Sequence, residues 1–177
     1  MPSKVSALQA LAKAISDQTV FTEPVFHYSG SIEPFDQFDF SLDRGHSSIL
    51  DLIGAHVAPD PATSRGLYEN VGWPDGFTMP LMANVSRPYY KDDGEVFWES
   101  ELADHLDDMM SEFSTDRALR QHLGKDYTHI PYINEVDLLG SDSYIMLPSP
   151  ESGADTTPHL RSIFANYDNL TSPNLYD

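Results

Sequence analysis

EVFWESELADHLDDMMSEFSTDRALRQHLGKDYTHIPYINEVDLLGSDSYIML, residues 95–147, is the stretch whose reading decides the fold. Leu102, Leu106, Met109, Met110 and Phe113 recur at spacings of four, three, one and three, which lines one face of a helix over residues 100–113. Glu99, Glu101 and Asp104 stand near its start, where the helix dipole favours anions. Ser114 is the expected cap of a second helix over residues 116–123, with Gly124 as its stop. Residues 127–133 and 143–147 then read as strands, the first broken by Pro131, and residues 95–98 as a short strand ahead of the helices.

Outward from this stretch, Val5, Leu8, Leu11, Ala12 and Ile15 predict an amphipathic helix at the start of the chain. Ser6 with Gln9 can form its capping box, or Ser3 can cap it one turn earlier. Its polar face carries Lys4 and Lys13, so it can dock on a neighbouring subunit or pack on its own core. Residues 25–28 and the alternating Phe38-Asp39-Phe40-Ser41-Leu42-Asp43 read as strands. Residues 47–56 read as a short helix with Ile49, Leu50, Leu52 and Ile53 inward. Asp60-Pro61 is a helix start, the aspartate capping and the proline fitting the first turn, with the helix running to Asn70. A turn follows at residues 72–76. Residues 77–90, interrupted by Pro80 and Pro88, suggest extended, edge-like structure.

From Pro148 the chain is rich in Pro, Ser, Thr, Asn and Asp, with one short helix expected over residues 158–166 that turns Leu160, Ile163 and Phe164 inward. Phe164, Tyr167, Leu170, Leu175 and Tyr176 are too apolar for a flexible linker and form the expected interface of an arm lying on its own or a neighbour's surface. The predicted fold is therefore α+β. A single compact domain, residues 1–147, has four or five helices around a small sheet of short strands, and an extended irregular C-terminal arm spans residues 148–177.

Ten Lys and Arg face 28 Asp and Glu, a formal net charge of −18. Such a surface repels nucleic acid and anionic membranes and favours basic partners. Aspartate outnumbers glutamate 19 to 9 and lysine occurs four times, a balance that suits a halophilic setting where salt screens self-repulsion. There is no cysteine, hence no disulfide or thiolate chemistry. No apolar run reaches the length of a membrane span, and the first residues lack the apolar core of a secretory signal, so a cytoplasmic or virion-associated location is expected.

Residues 92–112 hold nine carboxylates and no Lys or Arg. Glu101, His105 and Asp108, with Glu112, fall on one helical stripe, where carboxylate and imidazole on adjacent turns can converge on a divalent cation. His105 beside a carboxylate can also transfer protons. The ordinary reading, a solvated polar face, carries more weight. A looser group, Asp36, Asp39, Asp43 and His46, lacks the spacing of a calcium loop. No nucleophile elbow, zinc-protease motif or phosphate-binding glycine pattern is present, and no cofactor is expected. The aromatics Trp73, Phe77, Tyr89, Tyr90, Phe97 and Trp98 suit a core or an interface.

Three functions follow as expectations. The first is a non-enzymatic structural or interaction subunit of a larger assembly, such as a capsid, connector or tail component of a virion, contacting other protein subunits as a homo- or hetero-oligomer. The second is an acidic inhibitor, an immunity protein or nucleic-acid mimic that blocks a basic protein surface. The third is a metal-dependent enzyme or cation-binding module built on the Glu101 stripe.

Overall fold

Five helices and seven short strands alternate irregularly along the chain: α1 (Lys4–Ser16), β1 (Glu23–Ser29), α2 (Ile49–Ile53), β2 (Ala55–Val57), α3 (Pro61–Asn70), β3 (Phe77–Ala83), β4 (Phe97–Trp98), α4 (Glu99–Met110), α5 (Asp116–Asp126), β5 (His129–Asn134), β6 (Ser141–Met146) and β7 (Leu160–Ser162). This computed structural model describes residues 3–30, 33–41, 48–70, 76–135, 140–153 and 155–177. The fold is mixed α+β and a single compact unit, with two small sheets in place of the one expected. The first sheet has the order β1-β3-β7 and is antiparallel. The second has the order β2-β6-β5-β4, with β4 and β5 parallel. The sheets join at a corner, where Phe26 and Ala58 exchange backbone hydrogen bonds of 2.8 and 3.0 Å.

Strand alternation sends neighbouring residues to opposite faces, and this divides the interior into three cores. Leu81 and Ala83 face Ala55, Val57 and Met146 across the space between the sheets, which Phe38 and Leu175 plug. Met82, between them in sequence, faces the other way and packs with Ala12, Ile15, Phe21 and Ile163 under α1. On the far face of the second sheet, Ile130, Tyr132, Ile145 and Leu147 meet Ile53 of α2, Leu102 and Leu106 of α4, and Leu119 and Leu123 of α5. Each such fully buried side chain stabilises the fold by about 1.5–3 kcal/mol before entropy is counted. No described helix is long and apolar enough to cross a membrane.

The α4 stripe, the Asp60-Pro61 start and the amino-terminal helix stand as expected. Asp60 Oδ1 accepts from Ala62 N–H at 2.8 Å, and Ser3, rather than Ser6, caps α1 through Ser6 N–H at 3.2 Å.

Several expectations fail for identifiable reasons. Residues 38–41 form no strand: Phe38 is buried between the sheets, Phe40 N–H donates to the Asp155 carbonyl, and Asp39 Oδ1 closes a turn on Ser41. Leu42 and Asp43 lie outside the described residues, as do residues 72–75 of the expected turn. Gly124 does not end α5, which runs to Asp126 from a Thr115 cap; glycine is needed there because a Cβ would collide with the Pro148 carbonyl.

The expected helix over residues 158–166 is replaced by β7 and a turn, leaving Leu160 and Ile163 buried and Phe164 exposed. β3 is central rather than an edge. Phe26 spends its hydrogen bonds on Ala58, so the Phe26–Pro80 pair is a non-bonded one. Pro80 turns its carbonyl to Ile163 N–H, and its imide nitrogen sits on that same side, past the end of the β7 ladder. Pro131 likewise leaves β5 unbroken. Leu147 N–H bonds the Thr128 carbonyl, and alternation from there puts the Pro131 nitrogen on the β4 side, ahead of the two-residue ladder that begins at Tyr132.

Candidate functional site

Two surfaces gather the side chains that sequence reasoning singled out. The first is the acidic face of α4. Of the nine carboxylates in residues 92–112, all but Glu99 are exposed. Two carboxylates, Glu101 and Glu135, close the start of the helix, where N–H groups lack partners, and a third, Glu99, ties Glu135 to it. Glu101 Oε2 accepts from Trp98 N–H at 2.9 Å, Glu135 Oε2 accepts from Ser100 N–H at 2.7 Å, and Glu99 Oε2 accepts from Glu135 N–H at 2.8 Å. Lys91 Nζ sits 2.6 Å from Glu101 and 5.8 Å from the centre of the Phe97 ring. The Lys91 ammonium, and then the Trp98 N–H, hold the Glu101 carboxyl below the usual carboxylate range. Bonding to Ser100 does the same for Glu135.

The three expected metal ligands do not converge on one point. Glu101 is taken by Lys91 and Trp98. His105 Nε2 lies 2.8 Å from the Tyr89 hydroxyl, its ring tilted against Phe97. The Asp108 side chain faces solvent while its carbonyl accepts from Ser111 Oγ at 2.6 Å. Among the described residues, no group of three or more His, Asp or Glu side chains is arranged to hold a metal ion. Of the looser acidic group, Asp39 closes its turn on Ser41 and Asp36 offers its carbonyl to Leu175 N–H, while Asp43 and His46 lie outside the described residues.

Next to His105 is an open cleft of about 350 Å³. Tyr89, Tyr90, Lys91, Asp92, Asp93 and Phe97 line it with His105. Burial, then Tyr127 and Asp92, push the Tyr89 phenol up, so it stays protonated and shares a proton-bearing contact with His105. The protein's own Lys91 ammonium already stands over the Phe97 wall of this cleft.

The second surface joins α1 to the end of the chain. Phe21 packs edge-on against Tyr167 at 5.6 Å, and the Tyr167 hydroxyl donates to the Ser162 carbonyl at 2.9 Å. Burial pushes the Tyr167 phenol far above its ordinary value. Leu175 is buried between the sheets, its N–H on the Asp36 carbonyl and its carbonyl accepting from Ser162 N–H. Phe164, Leu170 and Tyr176 stay exposed, Phe164 at 64%. On α1 only Ala12 and Ile15 are buried, while Val5 is 65% exposed and Leu11 is also open to solvent. The expected interface residues thus divide: Leu175 and Tyr167 hold the segment down, and Phe164, Leu170 and Tyr176 point away from it.

Sequence reading missed the residue that anchors this segment. Arg161 is fully buried, its guanidinium 5.1 Å from the Phe21 ring centre. Its Nη1 donates to the Pro158 and Leu160 carbonyls at 3.1 and 2.7 Å, and Nη2 donates to the Asn169 carbonyl at 3.0 Å. The signal was present as one arginine inside the apolar run Leu160-Arg161-Ser162-Ile163-Phe164. Arg120, also buried, binds Asp116, Asp155 and the Leu52 carbonyl, and so ties α5 to the C-terminal segment. Comparison with known proteins adds no identity: no protein-family model, no curated protein and no solved structure matches this chain.

Proposed function

We propose that this chain is a non-enzymatic structural subunit that packs against neighbouring protein subunits, copies of itself included, through the face built by α1 and residues 160–177. The carrying observation is the distribution of exposed large apolar side chains. Eight are found among the described residues, and six of them, Val5, Leu11, Val20, Phe164, Leu170 and Tyr176, belong to α1, the loop after it and the C-terminal segment. Those segments share one small core, so the six side chains surround it rather than scatter over the molecule. Concentrated apolar exposure marks an interaction surface.

Charge supports the same face. α1 contains no acidic residue, in a chain with 28 of them. Two copies meeting there avoid setting carboxylates of this helix against each other, and salt would weaken the remaining repulsion. Sedimentation of the purified chain in molar KCl tests the proposal, with Phe164→Glu as the control. Oligomers that grow with concentration and vanish in the variant are expected. A chain that stays monomeric, or a variant that associates as the parent does, counts against it.

A second reading rests on the other two exposed large side chains, Tyr90 and Trp98, which flank the acidic start of α4. Aromatics set among exposed carboxylates suit a basic partner, as in an acidic inhibitor. Binding of a basic nuclease that fails at moderate salt would favour this reading, and indifference to every basic partner tried would remove it.

A further inference from the structure

The turn after β3 is stitched to two buried histidines. Asn84 N–H donates to the His159 carbonyl at 2.9 Å. Three residues on, Thr128 N–H donates to the Arg87 carbonyl at 2.8 Å, and Arg87 N–H donates to Thr128 Oγ1 at 3.1 Å. Thr128 Oγ1 lies 3.0 Å from His129 Nδ1. The end of β3 and the starts of β5 and β7 are thereby held together, with Arg87, His129 and His159 around the junction.

Two groups there lack partners. His159 is only 8% exposed, and its Nε2 is buried with no hydrogen bond. Arg87 is exposed, and among the described residues its guanidinium makes no ion pair, although the chain has nearly three carboxylates for every Lys or Arg. The charges that act on His159 are Arg87, Arg161 and His129, all cationic or able to become so. Carboxylates act on its neighbours: Glu23 and Asp142 on Tyr144, whose ring packs edge-on against His129 at 5.2 Å, and Asp177 on Arg161. A buried nitrogen without a partner is costly and calls for a ligand or a water. A water can satisfy Nε2, and solvent the exposed guanidinium, but neither offsets the cationic surroundings of the imidazole. One anionic group satisfies both, accepting from the imidazole inside and from the guanidinium fork outside.

We infer that Arg87, His129 and His159 form a binding site for an oxyanion, the phosphate or carboxylate group of a ligand, where the ends of β3, β5 and β7 meet. The inference is independent of the assembly reading. Burial, followed by the cationic neighbours, holds the His159 imidazole down to about 4, and burial alone does so for His129. A bound anion reverses the neighbours' effect and stabilises the protonated ring, so binding and proton uptake are linked.

Imidazole nitrogen resonances, followed while inorganic phosphate or acetate is titrated in at constant ionic strength near pH 6, test the site. Saturable shifts confined to His129 and His159 are expected, with the His159 titration moving up by about one pH unit or more. Arg87→Ala, an exposed change that spares the core, should weaken binding about tenfold or more. His159→Gln should abolish the saturable response of His129. Saturation by phosphate alone identifies a phosphate ligand, and saturation by acetate a carboxylate one. No shift, a shift reproduced by chloride, or a response unchanged in Arg87→Ala overturns the inference.

Discussion

Among the described residues, Arg120 and Arg161 are the two largest fully buried side chains, and they are stabilised in opposite ways. Arg120 faces two carboxylates, Asp116 and Asp155, and a carbonyl. Arg161 has three carbonyls and an aromatic face, and among the described residues no ion pair. One region compensates a buried charge with charge, the other with backbone dipoles. Arg120 fixes the C-terminal segment to α5 through Asp155, while Arg161 braces the segment from within through Pro158, Leu160 and Asn169 and meets the body at the Phe21 ring. The comparison shows that the C-terminal segment is ordered by polar anchors beneath its apolar surface. Its exposed Phe164, Leu170 and Tyr176 are therefore held in place for contact rather than left over from a loose tail.

Removing the anchors should break this comparison unequally. Arg161→Ala deletes packing on Phe21 and leaves its carbonyl acceptors without their donor, and should cost about 4 kcal/mol in denaturant unfolding. Hydrogen exchange should show residues 160–177 opening first. A loss near zero would mean that the segment is held by something else.

Acidification should act next, and on the same region. The folded-state values of His129 and His159 are depressed from 6.5 to about 4. The unfolded chain therefore takes up protons first, so their stabilisation is complete above about pH 6.5 and is lost as pH falls toward 4, at most roughly 3 kcal/mol for each ring. Protonating His159 also sets a second positive charge near Arg161. Thermal unfolding followed from pH 7 to 4 checks this, and His159→Gln should flatten part of the slope.

Arg120→Ala should cost about 2–3 kcal/mol, less than Arg161→Ala, because Asp116 and Asp155 can turn to water once the arginine is gone. Adding Asp155→Ala should then cost little more, the mark of a coupled pair. Smallest of all, Tyr89→Phe removes the bond to His105 and should cost about 1 kcal/mol, leaving the acidic face of α4 folded.

The comparison also marks what the sequence could convey. Leu102 and Leu106 recur along a helix that forms as its period requires, and Asp60-Pro61 starts one as capping chemistry requires. Such signals are local. Gly124 reads locally as a stop, but its role is set by Pro148, packed against it from 24 residues away. Phe38–Asp43 alternates as a strand does, yet Phe38 serves as a plug between sheets. Leu160 and Ile163 were rightly placed inside, but three residues of pairing with β3 override a short helical pattern. Of the candidate site residues, Leu175 and Phe164 look alike in sequence; partners far along the chain bury one and leave the other out. The junction of Arg87, His129 and His159 spans more than seventy positions and carries no motif.

Hydrogen exchange at rising protein concentration in molar KCl probes the interaction face most directly. The account predicts added protection at the exposed half of α1 and across residues 163–176, with the acidic face of α4 unchanged. Protection that does not depend on concentration, or that grows on α4 instead, would contradict it.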